Sequence, residues 1–194
     1  MKNLLSIGLA FVLAAPIFPC AHAAQPPGTP LSAAAAPPLA TIASLDVPRY
    51  MGTWFEVAKY PNRFQKQCVS DTRAEYALQA DGRVKVTNRC RLISGATEEA
   101  VGAARQLGDA NSAKLEVRFA PAWLSFLPAV WGNYWVIDLD ANYQLVAVSE
   151  PKREFLWVLS RTPKPDPAAV GALMTRLGTL GFDLQRLEPS KHSE

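Results

Sequence analysis

The sequence predicts an all-β fold, an eight-stranded antiparallel up-and-down barrel with one C-terminal α-helix packed outside it. Three observations lead there. From residue 45 onward, short runs of alternating apolar and polar residues recur, separated by turn signals. Eight such runs occur, enough for a sheet to close on itself. A single stretch with helical spacing follows the last of them.

Taken in chain order, residues 1–23 read as a signal peptide. Lys2 supplies a positive start, residues 4–13 form an apolar run too short to span a bilayer, and Ala21-His22-Ala23 offers a small-x-small cleavage pattern. Cleavage is expected near Ala23, which would leave the mature protein in the periplasm. The alternative is an outer-membrane protein anchored by a lipid on Cys20. Ile17, three residues before it, suits such a signal, whereas Phe18 and Pro19 stand where small residues are wanted. Residues 24–44, AQPPGTPLSAAAAPPLATIAS, hold no charge and no periodicity and read as a disordered Ala/Pro-rich linker. Such a composition cannot offset the entropy of ordering it.

Residues 45–190 form the domain. The first strand covers 52–60; strands over 69–78 and 83–92 flank Asp81-Gly82, read as a two-residue hairpin turn. Strands over 99–106 and 114–120 follow, parted by Gly108-Asp109-Ala110-Asn111. After an apolar loop come 133–139, 144–149 and 154–161, joined by Asp140-Ala141-Asn142 and Pro151-Lys152-Arg153. Asp166 is a helix cap and Pro167 suits the first helical position. Val170, Leu173, Met174, Leu177 and Leu180 then recur at helical spacing until Gly181 stops the helix. Residues 182–187 read as a short final strand.

Composition narrows the function. A chain of 194 residues, 49% hydrophobic, suits one domain with an enclosed core. The formal charge of +3 includes no basic block long enough to track a phosphate backbone, so no nucleic acid is expected as a partner. The two histidines, His22 and His192, lie near the chain ends, and neither is placed for imidazole chemistry. An enzyme is further opposed by the lack of a Gly-x-Ser-x-Gly elbow, and Glu98 and Glu99 are neighbours that point to opposite faces of a strand. No cofactor and no metal are expected. With residues 1–23 removed, Cys68 and Cys90 remain, an incomplete ligand set that reads by default as a disulfide in an exported protein; two buried free thiols are the alternative. The two-residue turn would set residue 90 opposite residue 73, so the chain at Cys68 must fold back to reach it.

A closed barrel of this size holds one small ligand. On the first strand Trp54, Glu56, Ala58 and Tyr60 share the face expected to point inward. A carboxylate there must be paired, hydrogen-bonded or neutral. Glu56 is therefore either a structural partner for a buried Arg or Tyr near the floor, or the receiver of a polar group of the ligand. Residues 121–131, PAWLSFLPAVW, crowd apolar side chains into one loop, which either packs over the barrel rim or forms a ligand portal, a membrane contact or a self-association surface. Residues 62–67 form a lid, whose Arg63 and Lys66 either stay solvated or meet an anionic head group. Tyr134, rather than Trp135, is taken as inward. The candidate ligand-binding residues are thus Glu56, Ala58, Tyr60, Phe64, Tyr76, Trp123, Phe126, Trp131 and Tyr134.

The stretch LDVPRYMGTWFEVAKYPNRF resembles the opening of a lipocalin, in which a short helical turn leads into Gly-x-Trp, here Gly52-Thr53-Trp54. Asp140-Ala141-Asn142-Tyr143 resembles the second motif of that family, Asp-x-x-Tyr, and Arg161 the third. The resemblance runs from residue 45 to about 187, toward the bacterial outer-membrane lipocalins and, more distantly, apolipoprotein D. It implies a calyx that binds, stores or transports fatty acids or lysophospholipids in the bacterial cell envelope, and it leaves outer-membrane association and a homodimer open. The chain departs from apolipoprotein D in having no Cys after Cys90, so that disulfide pattern does not carry over. Physically, Gly52 permits a tight turn, Trp54 fills the closed end, and Arg161 stacks on its indole while donating to carbonyls of the entering turn. The rival reading is an interaction module whose barrel is filled by its own side chains and whose Trp-rich loop binds a protein or membrane surface.

Overall fold

Eight antiparallel strands close on themselves. They are β1 (Gly52–Lys59), β2 (Cys68–Leu78), β3 (Val84–Leu92), β4 (Thr97–Gln106), β5 (Lys114–Arg118), β6 (Gly132–Leu139), β7 (Leu145–Ser149) and β8 (Leu156–Ser160). Each pairs with the next, β8 pairs with β1, and β1 returns to β2. This is a computed structural model that describes residues 37–193. The expected signal peptide, Cys20 and the linker as far as residue 36 lie outside the described residues.

A four-residue helix, α1 (Val47–Tyr50), leads into β1, capped by the Asp46 carboxylate, which accepts from the Arg49 amide at 3.1 Å. Gly52 then takes φ +95°, a left-handed turn, and a Cβ there would meet the Arg161 guanidinium at 3.2 Å. The C-terminal helix α2 (Pro167–Thr179) starts on Asp166, whose carboxylate accepts from the Ala168 and Ala169 amides. It ends in a Schellman motif: Gly181 has φ +85°, Phe182 N–H donates to Leu177 O, and Gly181 N–H to Gly178 O. Leu173 and Leu177 are fully buried against the outside of the barrel, among Ile137, Leu145, Ala147, Leu156 and Val158. A two-pronged ion pair from Arg176 to Asp138, at 2.6 and 2.9 Å, ties the helix to β6.

The structure corrects four local expectations. The β2–β3 hairpin has a three-residue loop rather than a two-residue turn. Gln79 faces Arg83, Gly82 N–H donates to Gln79 O, and Gly82 at φ +78° supplies the left-handed position that closes a turn with a bulge. The register moves by one, to Arg73 opposite Arg89. Residues 182–187 form no strand, because the Asp183 carboxylate caps a single 3-10 turn, Leu184–Arg186. The ninth strand, β9, is only Glu188–Pro189, paired with Ala58 and Lys59. Part of the expected linker lies against the domain: Leu39 is buried, Ile42 N–H donates to Val136 O, and Pro37 O accepts from Arg153. Apolar Leu39 and Ile42 find cover that the surrounding Ala and Pro lack.

The fourth correction lies in β1. Glu56 faces Leu159 of β8 and Ala58 faces Val158, so Val57 is an extra residue and the strand bulges. Inward and outward exchange beyond it. Trp54 stays in the interior cluster with Val84, Val86, Leu115, Val136 and Val148. Ala58 and Tyr60 turn to the outer cluster beneath α2.

Two further bulges interrupt β2, between Cys68 and Ser70 and between Ser70 and Arg73. Asp71, at φ +57°, sits in the second. They bring Cys68 back opposite Leu92, and Cys68 and Cys90 are joined by a disulfide with their Cα atoms 5.5 Å apart. Beyond Phe55 and Arg73, the last pair in their ladder, β1 and β2 diverge. Residues 190–193 bridge that gap. Ser190 N–H donates to Val57 O, Asp71 N–H to Lys191 O, and the Ser193 amide and hydroxyl to the Asp71 carboxylate. His192 has Nε2 at 2.7 Å from Glu56 O and its ring edge-on to Phe55.

Candidate functional site: a calyx with a tyrosine base

The closed end is built around Trp54. Its indole is fully buried and donates to Tyr50 O at 2.9 Å. The Arg161 guanidinium lies 4.0 Å from the indole ring centre. Its N–H groups donate to the carbonyls of Arg49, Tyr50, Thr53 and Tyr143. These are carbonyls of the α1–β1 entry and of the β6–β7 turn, so one cation staples the two loops that shut the barrel. Burial lowers the Arg161 pKa from its ordinary value. In the β6–β7 turn the Asp140 carboxylate accepts from the Asn142, Gln144 and Leu145 amides. Tyr143 at φ +59° then turns its hydroxyl to the Asp46 amide and its ring under Arg49.

Above this floor lies a cavity of about 780 Å³. Much of the wall is apolar, formed by Val84, Val86, Ala100, Ala104, Leu115, Val117 and Leu159, while Thr72, Arg73, Asn88 and Arg89 also border the cavity. Three tyrosines stand at its base. Tyr50 lies 5.0 Å from the Trp54 ring, and the Tyr134 hydroxyl meets those of Tyr50 and Tyr76 at 2.7 and 3.0 Å. Burial raises all three pKa values, Tyr50 and Tyr134 well above the ordinary phenol range and Tyr76 to about 12. The rim is charged and mixed in sign: Arg63, Lys152, Glu98, Glu150 and Glu154 all reach it.

Of the residues singled out in the sequence, Glu56, Phe64, Tyr76, Trp131 and Tyr134 border this cavity, as do both cysteines. Glu56 is 2% exposed, and its partners are neither Arg nor Tyr. One carboxylate oxygen accepts from Gln65 Nε2 and the other from Ser190 Oγ, both at 2.6 Å. Gln65 in turn accepts from Trp157 Nε1 and from Asn62, so the lid loop is held down by its own amide.

Ala58 and Tyr60 do not line the cavity, for the β1 bulge turns them outward. The Tyr60 hydroxyl donates to Asp183 O and its ring meets Phe182. Trp123 and Phe126 are also misplaced as lining residues. The loop folds into two 3-10 turns, Ala122–Leu124 and Pro128–Val130, that leave these rings 72% and 74% exposed while Ala129, Val130 and Trp131 face the cavity. The Trp131 indole donates to Ser125 O, and the guanidiniums of Arg105 and Arg118 lie 4.2 and 5.3 Å from its ring centre. Lys66 does not border the cavity, whereas Arg63 does.

The alternating wall residues of β3 and β5 were legible as inward faces but were not singled out. Gln65 and Ser190 carried no local signal, since their role depends on a partner in another element. Among the described residues no group of three or more His, Cys, Asp or Glu is placed to hold a metal ion. A barrel filled by its own side chains does not describe this interior.

Comparisons with known proteins agree with this geometry. The family model for a lipocalin-like domain matches residues 45–192. Temperature-induced lipocalin-1 of Arabidopsis thaliana is 36% identical over 155 residues, 79% of this chain and 82% of that protein. The outer membrane lipoprotein Blc of Escherichia coli (strain K12) is 33% identical over 144 residues, 74% of this chain and 77% of that one. Among solved structures, insecticyanin from the tobacco hornworm Manduca sexta superposes with a TM-score of 0.64 at 19% identity, covering 82% of this chain and 87% of that one. That last likeness concerns the fold alone.

Proposed function

Because the chain belongs to the lipocalin-like family, whose members bind small hydrophobic ligands, we propose that it binds and stores or transports fatty acids or lysophospholipids in the bacterial cell envelope. The observation that carries this reading is the cavity of about 780 Å³, apolar over much of its wall and ringed at its mouth by charges of both signs. Ligand sites run from about 300 to 1,000 Å³, so one acyl chain is a fitting occupant. Each buried methylene contributes about 0.8 kcal/mol, and roughly ten give about 8 kcal/mol before the costs of association. Micromolar affinity is about 8 kcal/mol net, so a chain of roughly fifteen methylenes, about 12 kcal/mol gross, reaches it with about 4 kcal/mol left for association and no dedicated head-group pocket. A rim holding both Arg63 and Lys152 and the carboxylates Glu98, Glu150 and Glu154 suits a carboxylate or a zwitterionic phosphate head. An envelope location fits the likeness to Blc, an outer membrane lipoprotein by name.

The test is displacement of a fluorescent fatty acid from delipidated protein. Fatty acids and lysophospholipids are expected to compete, with affinity rising with chain length until the cavity is filled. Failure of every chain length to compete would remove the proposal. Native mass spectrometry on protein purified without delipidation gives an independent reading, since a filled calyx carries an added mass.

A further inference from the structure

The three tyrosines at the base of the cavity have one proton too many. Their hydroxyls carry three, and the two contacts Tyr50–Tyr134 and Tyr76–Tyr134 use two. Whichever oxygen donates in each pair, one O–H is left over, and no other partner of these hydroxyls is found among the described residues. Buried donors do not ordinarily go unpaired. The three rings border the cavity, and Tyr134 keeps part of its surface open. The unspent donor, with the lone pairs the three oxygens retain, is available to whatever occupies the calyx.

We propose that the Tyr50–Tyr76–Tyr134 cluster is a receptor for one neutral oxygen on the buried end of the ligand, so that the calyx favours acyl chains bearing a hydroxyl or carbonyl far from the head group. This rests on the reading of the cavity as an acyl-chain site and adds to it which chains are preferred. An alcohol both donates and accepts, and a carbonyl accepts; either completes the cluster. A carboxylate does not fit. It would bring a full charge to a place with one spare donor, and the nearby cation, Arg161, spends its hydrogen bonds on backbone carbonyls. The raised pKa values of the same tyrosines report that negative charge is disfavoured there. The head group therefore stays at the charged rim and the chain enters tail first.

The sign of the effect makes the test sharp. In a purely apolar cavity a hydroxyl on the chain weakens binding, because it is stripped of water without a partner. Palmitate would be compared with 16-hydroxypalmitate, and stearate with 12-hydroxystearate, by displacement of the fluorescent fatty acid from the full-length, delipidated protein. At least one hydroxy acid is expected to bind as tightly as its parent, to within about threefold, or more tightly. The triple variant Tyr50→Phe/Tyr76→Phe/Tyr134→Phe, which keeps the rings, is expected to lower that acid's affinity relative to its parent's by about tenfold or more. The proposal is overturned if both hydroxy acids bind the wild type more weakly than their parents by more than that threefold margin, or if the triple variant keeps the wild-type ratio of hydroxy-acid to parent affinity. Should the variant not fold, the wild-type comparison decides alone. Should neither parent nor hydroxy acid bind, the acyl-chain reading itself has failed.

Discussion

Trp54 is the residue on which most of the closed end depends. Its indole is fully buried, bonded to Tyr50 O and covered by Arg161. Replacing it by Ala should cost about 3–5 kcal/mol as a large-to-small core change, read as a lowered midpoint in urea; an unchanged midpoint would contradict the plug. Gly52, Trp54 and Arg161 were legible because their roles are local or carried by a motif. Glu56 was legible only as a problem: alternation placed a carboxylate inside, while its solution, Gln65 and Ser190, comes from a loop and from the chain's far end. Ala58 and Tyr60 were misread for one physical reason. Strict alternation contains no term for an inserted residue, and nothing in Glu56-Val57-Ala58 announces a bulge.

At the scale of elements, the eight strands and the helix followed from periodicity, whereas their joints did not. The β2–β3 turn differs by one residue from the reading of Asp81-Gly82, and of the two β2 bulges that carry Cys68 to Cys90, the second holds Asp71 in a left-handed backbone. Here the disulfide closes 22 residues of chain across an irregular ladder. Chain-entropy arguments assign such a link about 3 kcal/mol. The Cys68→Ser/Cys90→Ser variant should lose stability of that order in denaturant titrations. A midpoint matching that of the oxidised wild type would show that the bulged ladder holds register unaided.

For the molecule as a whole, the C-terminal residues complete the barrel. Asp71 receives the Ser193 amide and hydroxyl, and those bonds, with Arg91 and Ser70 behind them, hold its pKa well below the ordinary carboxylate range. A folded-state pKa below the unfolded value contributes stability that is full above the ordinary carboxylate pKa of about 3.9 and is lost as pH falls through that value toward the folded one. Asp71→Asn should therefore destabilise the protein at pH 7. Its deficit relative to wild type should shrink as urea titrations are carried from pH 5 down toward pH 2, the shared titration of other carboxylates cancelling in the difference. A deficit independent of pH would remove Asp71 from the acid response. None of this pairing was legible in advance, since Ser193 and Asp71 are 122 residues apart and each reads as a solvated polar residue.

The same seam has a bearing on biosynthesis. Ser190, Lys191, His192 and Ser193 close the wall between the first two strands, so the earliest strands to leave the ribosome wait for these four residues to seal them. While residues 190–193 are still inside the ribosome, they are held away from Glu56 and Asp71. A finished, sealed vessel therefore comes after the translation of its eight strands, once residues 190–193 are free to reach Val57, Glu56 and Asp71.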